Sequence, residues 1–273
     1  MNKAGGCMNE FTWVGSHENC IDEARIRSLN GEIVIGLYGG NSSSGQYKNE
    51  DGCLVWSSPG EWEFAMILDG HDSAESVELV MNTFENKKDL VYEVIHKQTR
   101  ESFVGLQDLI IETFVSDGFR EAAKKIQGET ACLFVLRKEN YLWWFSVGDC
   151  IVHLFHPEFT ALGEFQQNHR SFYEWVGHNS TFNKAVPTYS TGTKELRTGD
   201  NQIFLTTDGL TECPNTHFGE PAAILNEFGN GSLEDGVLNL IQEIKRKGVK
   251  DSTTIVTWKF DNKHDAVLPS DMN

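Results

Sequence analysis

Long apolar runs are missing from this 273-residue chain, and no uninterrupted apolar segment approaches the length needed to span a bilayer. Positive charge is also scarce. Forty Asp and Glu stand against 23 Lys and Arg, a net charge of −17. That balance argues against broad binding to nucleic acid or to an anionic membrane, both of which need a positive field. It leaves an anionic substrate open, because bound cations invert a local field. Proline is sparse at 6, and no Pro- or Gly-rich linker, internal repeat or low-complexity tract divides the chain. The expectation is one domain over residues 1–273, with a core at about 30–260 and frayed tails. The six cysteines (Cys7, Cys20, Cys53, Cys132, Cys150, Cys213) make no Cys-x-x-Cys pair and no zinc spacing, so they are expected as reduced thiols of a cytoplasmic protein. Ala4-Gly5-Gly6-Cys7 has the small residues of a lipoprotein cleavage site, but no apolar stretch precedes it and no signal peptide is expected.

Several catalytic signatures are absent as well. There is no Gly-x-Ser-x-Gly elbow. Gly40 to Gly45 has the spacing of a phosphate-binding loop, but Gln46-Tyr47 stands where Lys-Ser or Lys-Thr is required. His153 and His156 lack the Glu of a zinc-protease motif.

What is present is a run of periodic segments. Strands are expected at Ile33 to Tyr38, Cys53 to Ser57 and Trp62 to Leu68, the last two joined by the turn signal Ser58-Pro59-Gly60. Val77, Val80, Met81 and Phe84 are spaced for a helix starting near Ser73. Phe103, Leu106, Ile110 and Phe114 predict a second, running towards Lys125 past a weak point at Gly118. Strands follow at Thr130 to Arg137, Tyr141 to Val147 and Ile151 to Phe155, then a loop-rich stretch from Gly163 to Arg197. Ile203 to Thr207 returns to strand, Leu233 to Ile244 is an amphipathic helix, and Thr253 to Phe260 is a last strand. Two strand clusters with helices between and after them predict an α+β fold: a central β-sandwich of two mainly antiparallel sheets flanked by helices, four layers in all.

The chemistry sits in aspartates at strand ends. Asp69 and Asp208 each follow an apolar run, Asp251 opens one, and Asp51 closes Asn49-Glu50-Asp51. Taken singly, each has a structural explanation: Asp-Gly is a turn former, and Asp149 in Gly148-Asp149 is a hairpin residue. Taken together, carboxylates at strand ends can converge on one sheet edge, where a pair of hard divalent cations would neutralise them and make a hydrolytic site.

In order along the chain, Asn49-Glu50-Asp51, Met66-Ile67-Leu68-Asp69-Gly70-His71, Gly128-Glu129-Thr130-Ala131 with Ser146-Val147-Gly148-Asp149, Leu205-Thr206-Thr207-Asp208-Gly209-Leu210 and Asp251-Ser252-Thr253-Thr254-Ile255-Val256 resemble the motifs of the metal-dependent protein serine/threonine phosphatases of type 2C. The resemblance covers residues 33–260. It implies a metal cluster at one edge of the sandwich, with Asp51 and Asp69 bridging two Mn²⁺ or Mg²⁺ ions. Asp208 and Asp251 complete one shell, the Gly70 carbonyl serves the other, and Glu50 acts through bound water. A departing Ser or Thr alkoxide needs a proton, and His71, the only histidine within a motif, is the candidate general acid; Asp51 and Asp69 are catalytic through the ions that activate a bridging water. The implied partner is a phosphoprotein substrate, with neither nucleic acid nor membrane, and the chain is expected as a monomer or weak oligomer.

Departures from that pattern bear on activity. Gln46 stands where family members carry a phosphate-clamping Arg, leaving Lys48 as the nearby cation for substrate. Lys124 and Lys125 stand where relatives place an Asp for a third metal, which tells against that site. The Gly-Asp-Ser-Arg of the family reads Gly148-Asp149-Cys150-Ile151 here, and a substrate-facing flap is expected within Gly163 to Lys194. Two alternatives therefore stand beside phosphoserine and phosphothreonine hydrolysis: an inactive relative acting as a binding module, and a phosphatase of small phosphorylated molecules.

Overall fold

The computed structural model describes residues 8–229 and 231–270, so Cys7 with its small neighbours and the last three positions of the tail lie outside the described residues. In chain order the elements are β1 (Asn9–Val14), β2 (Arg25–Leu29), β3 (Ile33–Tyr38), β4 (Gly52–Ser58) and β5 (Trp62–His71). Next come α1 (Glu75–Asn86), α2 (Lys88–Ile95), α3 (Thr99–Val115), α4 (Asp117–Ala123), β6 (Glu129–Lys138), β7 (Tyr141–Val147) and β8 (Ile151–Phe155). The remainder are α5 (Pro157–Ala161), β9 (Val176–Gly177), β10 (Ser190–Glu195), β11 (Gly199–Thr206), α6 (Asp208–Thr211), α7 (Pro221–Asn226), α8 (Leu233–Lys247) and β12 (Thr253–Asn262).

These strands form two antiparallel sheets. The first is seven-stranded in the order β1-β4-β5-β6-β7-β10, with β9 paired to β6; the second is five-stranded in the order β2-β3-β12-β11-β8. Side-chain alternation explains why they stack. Along β5, Ala65 and Ile67 point between the sheets, while Phe64, Met66 and Leu68 point to the helices α1 to α4. Along β3, Ile33, Ile35 and Leu37 face between the sheets, while Val34 and Tyr38 face α8 and its neighbours. Both faces of each central strand are therefore covered, which is why their sequences are apolar without alternation. The four-layer α+β sandwich expected from the sequence is the fold observed.

The helix before the last strand is specified locally. Ser232 Oγ accepts the amide of Asp235 at 3.1 Å, a capping box, and Gly248 ends α8 at φ 76°. Its fully buried Val237, Leu240, Ile241 and Ile244 each contribute about 1.5–3 kcal/mol by burial. This seats the chain entering β12, and with it Asp251.

Besides the helices α2, α5, α6 and α7, which no periodicity predicted, three segments differ from expectation. The break after α3 comes at Ser116, not Gly118: Ser116 turns extended and its Oγ accepts the Phe119 amide, so Gly118 lies inside α4. The stretch expected to be loop-rich contains β9 and β10. β10 is a polar edge strand whose alternate residues face solvent, so its composition resembles a loop. Finally, β1 and β2 precede residue 30, and β1 adds Trp13 and Val14 to the cores.

Candidate active site

Five chain segments meet at one end of the sandwich, where the two sheets open onto a cleft of about 470 Å³. The end of β5 brings Asp69, Gly70 and His71, the β7–β8 hairpin brings Asp149, and the start of α6 brings Asp208. The approach to β4 brings Glu50, and the approach to β12 brings Lys250 and Asp251.

Close backbone approach, not turn geometry, explains the two Asp-Gly pairs. Gly70 lies within β5 and Gly209 within α6, and neither has positive φ. A Cβ on Gly70 would stand 2.4 Å from the Glu50 carbonyl oxygen, and one on Gly209 would stand 2.0 Å from that of Ser252. Glycine is what lets the acidic segments touch. Gly209→Ala is therefore expected to cost about 2–3 kcal/mol and to lower the melting temperature by ~5–10 °C. Thermal unfolding by circular dichroism checks this; an unchanged melting temperature would show that the backbone can give way there.

At the cleft floor, carboxylate oxygens of Asp69, Asp149 and Asp208 lie within 4.8 Å of one another. The Asp208 amide donates a long 3.5 Å bond to Asp69 Oδ2. Asp51 stands behind them, fully buried. Its Oδ1 accepts Ser252 Oγ at 2.8 Å, and its Oδ2 accepts Thr254 Oγ1 at 2.7 Å and Thr207 Oγ1 at 3.1 Å. Thr207 Oγ1 also accepts the Thr254 amide at 2.9 Å, which locks the end of β11 to β12 around this carboxylate. With about two lone pairs per oxygen, Oδ1 retains one for a further partner.

Burial and mutual repulsion raise every one of these pKa values. Asp51 is pushed up to about 7 by burial, with the Thr254 hydroxyl opposing the shift and the Asp251 charge adding to it. Burial likewise holds Asp69 well above the usual carboxylate range, reinforced by Asp208, Asp51, Asp251 and Asp149. Asp208 reaches about 8 through burial, then the charges of Asp251 and Asp149. Burial also raises Asp251, against a backbone hydrogen bond from Ser252. For Asp149, burial raises the value and Arg170 opposes it. A set of crowded oxygen donors with few hydrogen-bond donors aimed at Asp69, Asp149 and Asp208 suits hard divalent cations.

Sequence reasoning missed Asp149 as a member of this group. The signal was present: like Asp69 and Asp208, it follows an apolar strand. Also missed were Thr207, Ser252 and Thr254, the hydroxyls that hold Asp51.

The cleft rim carries the remaining expected residues. Lys48 Nζ donates to Glu50 Oε1 at 2.9 Å and to the Asp72 carbonyl at 2.8 Å. His71 is exposed, its ring parallel to Trp175 at 10° with centroids 6.5 Å apart. Trp175 precedes β9, whose pairing with β6 anchors this part of the segment expected to form the flap. Arg170, from the same segment, donates to the Asp149 carbonyl and to Glu212. Gln46 and Lys250 both belong to the cleft lining. Lys124 is exposed and ion-paired to Glu121, outside the cleft lining.

No family model matches the chain, and no curated protein matches it by sequence. Its fold, however, is shared by solved structures. The serine/threonine phosphatase Stp1 from Staphylococcus aureus superposes with a TM-score of 0.61 at 14% identity, covering 95% of this chain and 98% of that one. The catalytic domain of the serine threonine protein phosphatase PstP, solved with two manganese ions, gives 0.55 at 15% identity over 93% and 98%. RsbX, solved with magnesium, gives 0.54 at 15% identity over 87% and 100%. The chain thus has the fold of the bacterial serine/threonine phosphatases, the type 2C fold that its ordered acidic motifs resemble.

Proposed function

We propose that this chain is a metal-dependent phosphatase hydrolysing phosphoserine and phosphothreonine in proteins, as a single cytoplasmic domain working as a monomer or weak oligomer. The convergence of Asp69, Asp149 and Asp208 at the floor of an open cleft carries the reading. Asp69, Asp208 and Asp251 would hold two Mn²⁺ or Mg²⁺ ions with the Gly70 carbonyl, Glu50 through water, and Asp51 through its remaining Oδ1 lone pair. Asp149 joins the set because it lies in the same cluster. Bound there, such cations lower the pKa of water and polarise the phosphoryl group for in-line attack.

The protein's own side chains supply the rest. Asp69 orients the attacking water at the cleft floor, and Asp51, buried behind it, acts through the ions it would help to hold. Lys48 fixes Glu50 and offers positive charge at the substrate side. His71 stands at the rim, where its ring N–H donates a proton to the departing Ser or Thr Oγ, a poor leaving group as an alkoxide. His71→Ala is expected to lower kcat about 10²-fold on a phosphoserine peptide and under tenfold on para-nitrophenyl phosphate, whose leaving group needs no proton. Equal losses on both would remove His71 from the general-acid role.

Gln46 favours a second reading. A neutral amide cannot offer the charged fork of an Arg, so a protein that binds phosphorylated partners without turning them over fits the same cleft. Turnover of phosphoserine peptides against small phosphate monoesters, with and without Mn²⁺, separates the possibilities. Metal-dependent preference for peptides is expected. Preference for small esters would reassign the substrate, and binding without turnover would favour the second reading.

A further inference from the structure

We infer that Lys250 is the residue that positions the substrate phosphate, taking over the charge that position 46 lacks; this rests on the phosphatase reading above. Around the cleft stand the carboxylates of Glu50, Asp69, Asp72, Asp149, Asp208 and Asp251, with Lys48 and Lys250 as the lining cations. Lys48 spends two of its three donors, on Glu50 and on the Asp72 carbonyl. Lys250 is exposed, belongs to the cleft lining, and makes no ion pair or hydrogen bond through its side chain among the described residues. Its charge is uncommitted and accessible.

The backbone beneath Lys250 is held firmly. Gly40, at φ 83°, lies so close that a Cβ there would stand 2.3 Å from the Lys250 carbonyl oxygen and 3.0 Å from Gln46 Cγ. On one side the Asn41 amide donates to the Val249 carbonyl at 2.8 Å, and Ser44 Oγ donates to that of Gly248 at 2.6 Å. On the other, the Gln46 amide donates to the Asn41 carbonyl at 3.2 Å. Gln46 and Lys250 therefore share one wall, joined through the Gly40 contact, with Asp251 next in the chain. A phosphate seated over the acidic floor would meet the Gln46 amide as a neutral donor and the Lys250 ammonium as a point charge. This arrangement supplies the cation without an Arg at position 46.

The test uses the full chain loaded with Mn²⁺ and inorganic phosphate as the probe, followed by calorimetry and by inhibition of para-nitrophenyl phosphate turnover. Lys250→Met is expected to weaken phosphate binding and raise KM about tenfold, with kcat within threefold and Mn²⁺ affinity equal or tighter. Lys250→Arg should stay within about twofold of wild type, and Gln46→Arg added to Lys250→Met should restore phosphate affinity. Lys48→Met should weaken phosphate less than Lys250→Met does. Unchanged phosphate affinity and KM in Lys250→Met would overturn the assignment. So would loss of Mn²⁺ binding in parallel with phosphate, or equal damage from Arg and Met. If wild type binds phosphate but turns nothing over, hydrolysis is refuted while the Lys250→Met binding result still decides this inference.

Discussion

Asp69→Asn is expected to lower Mn²⁺-dependent turnover by at least ~10³-fold while leaving the metal-free protein as stable as wild type or more so. The two effects share one cause. Burial holds the pKa of Asp69 well above the usual carboxylate range, and the charges of Asp208, Asp51, Asp251 and Asp149 add to it. In the absence of metal its ionised form is a liability, and a neutral amide of the same shape relieves it. With metal, the proposed ligand role would make the same carboxylate indispensable, because an amide oxygen is a weaker ligand carrying no charge. Turnover of para-nitrophenyl phosphate at saturating Mn²⁺ and urea unfolding without metal measure the two arms. Turnover within tenfold of wild type would exclude Asp69 as a ligand. A large loss of metal-free stability would make it a structural residue instead.

Without divalent cations, stability is expected to fall as pH rises from about 4 to 8. The sign follows from linkage. Asp208 is held up to about 8 and Asp51 to about 7 in the folded chain, against about 3.9 when unfolded. Between those values the folded state binds more protons than the unfolded state, so raising pH favours unfolding. The penalty is absent below about pH 4 and complete above about pH 8. Mn²⁺ is expected to reverse this dependence, since a cation held by the ionised carboxylates would compete with protons. Its stabilisation should be small at pH 5 and about 10 °C or more in melting temperature at pH 8. The net charge of −17 also destabilises the fold at high pH, so the scan belongs at physiological salt, where exposed charges are screened. Asp208→Asn should flatten the metal-free slope. A flat profile in the wild-type protein would mean that these carboxylates are not crowded in solution.

The architecture was legible where burial dominates. Strands such as β5 and β6 carry unbroken apolar runs, Phe64 to Leu68 and Ala131 to Leu136, because both faces are covered there, and α8 carries its stripe, its capping box and its terminal glycine in plain order. Edge elements were harder: β10 is as polar as a loop, and β2 buries none of its five residues fully. At the site, Asp69 and Asp208 stood out because each ends an apolar strand. Asp149 does the same, yet a hairpin accounts for it equally well until Asp69 and Asp208 are seen beside it. Thr207 and Thr254 lie in the matching motifs but gave no signal of their role, since threonine near a strand is ordinary β composition. Their purpose appears only with the buried Asp51 between them. Trp175 and Arg170 come from a segment without periodicity, placed by the β9 pairing and by contacts to Asp149 and Glu212.

Hydrolysis of para-nitrophenyl phosphate with and without Mn²⁺, using Asp208→Asn as the control, tests the central claim that this acidic cluster is a catalytic metal centre. The expected result is turnover that requires the metal and is lost in the variant, with calorimetry showing Mn²⁺ binding to wild type and weakened binding to Asp208→Asn. Folded wild-type protein that binds no Mn²⁺ and turns over no ester across pH 6–9 would contradict it.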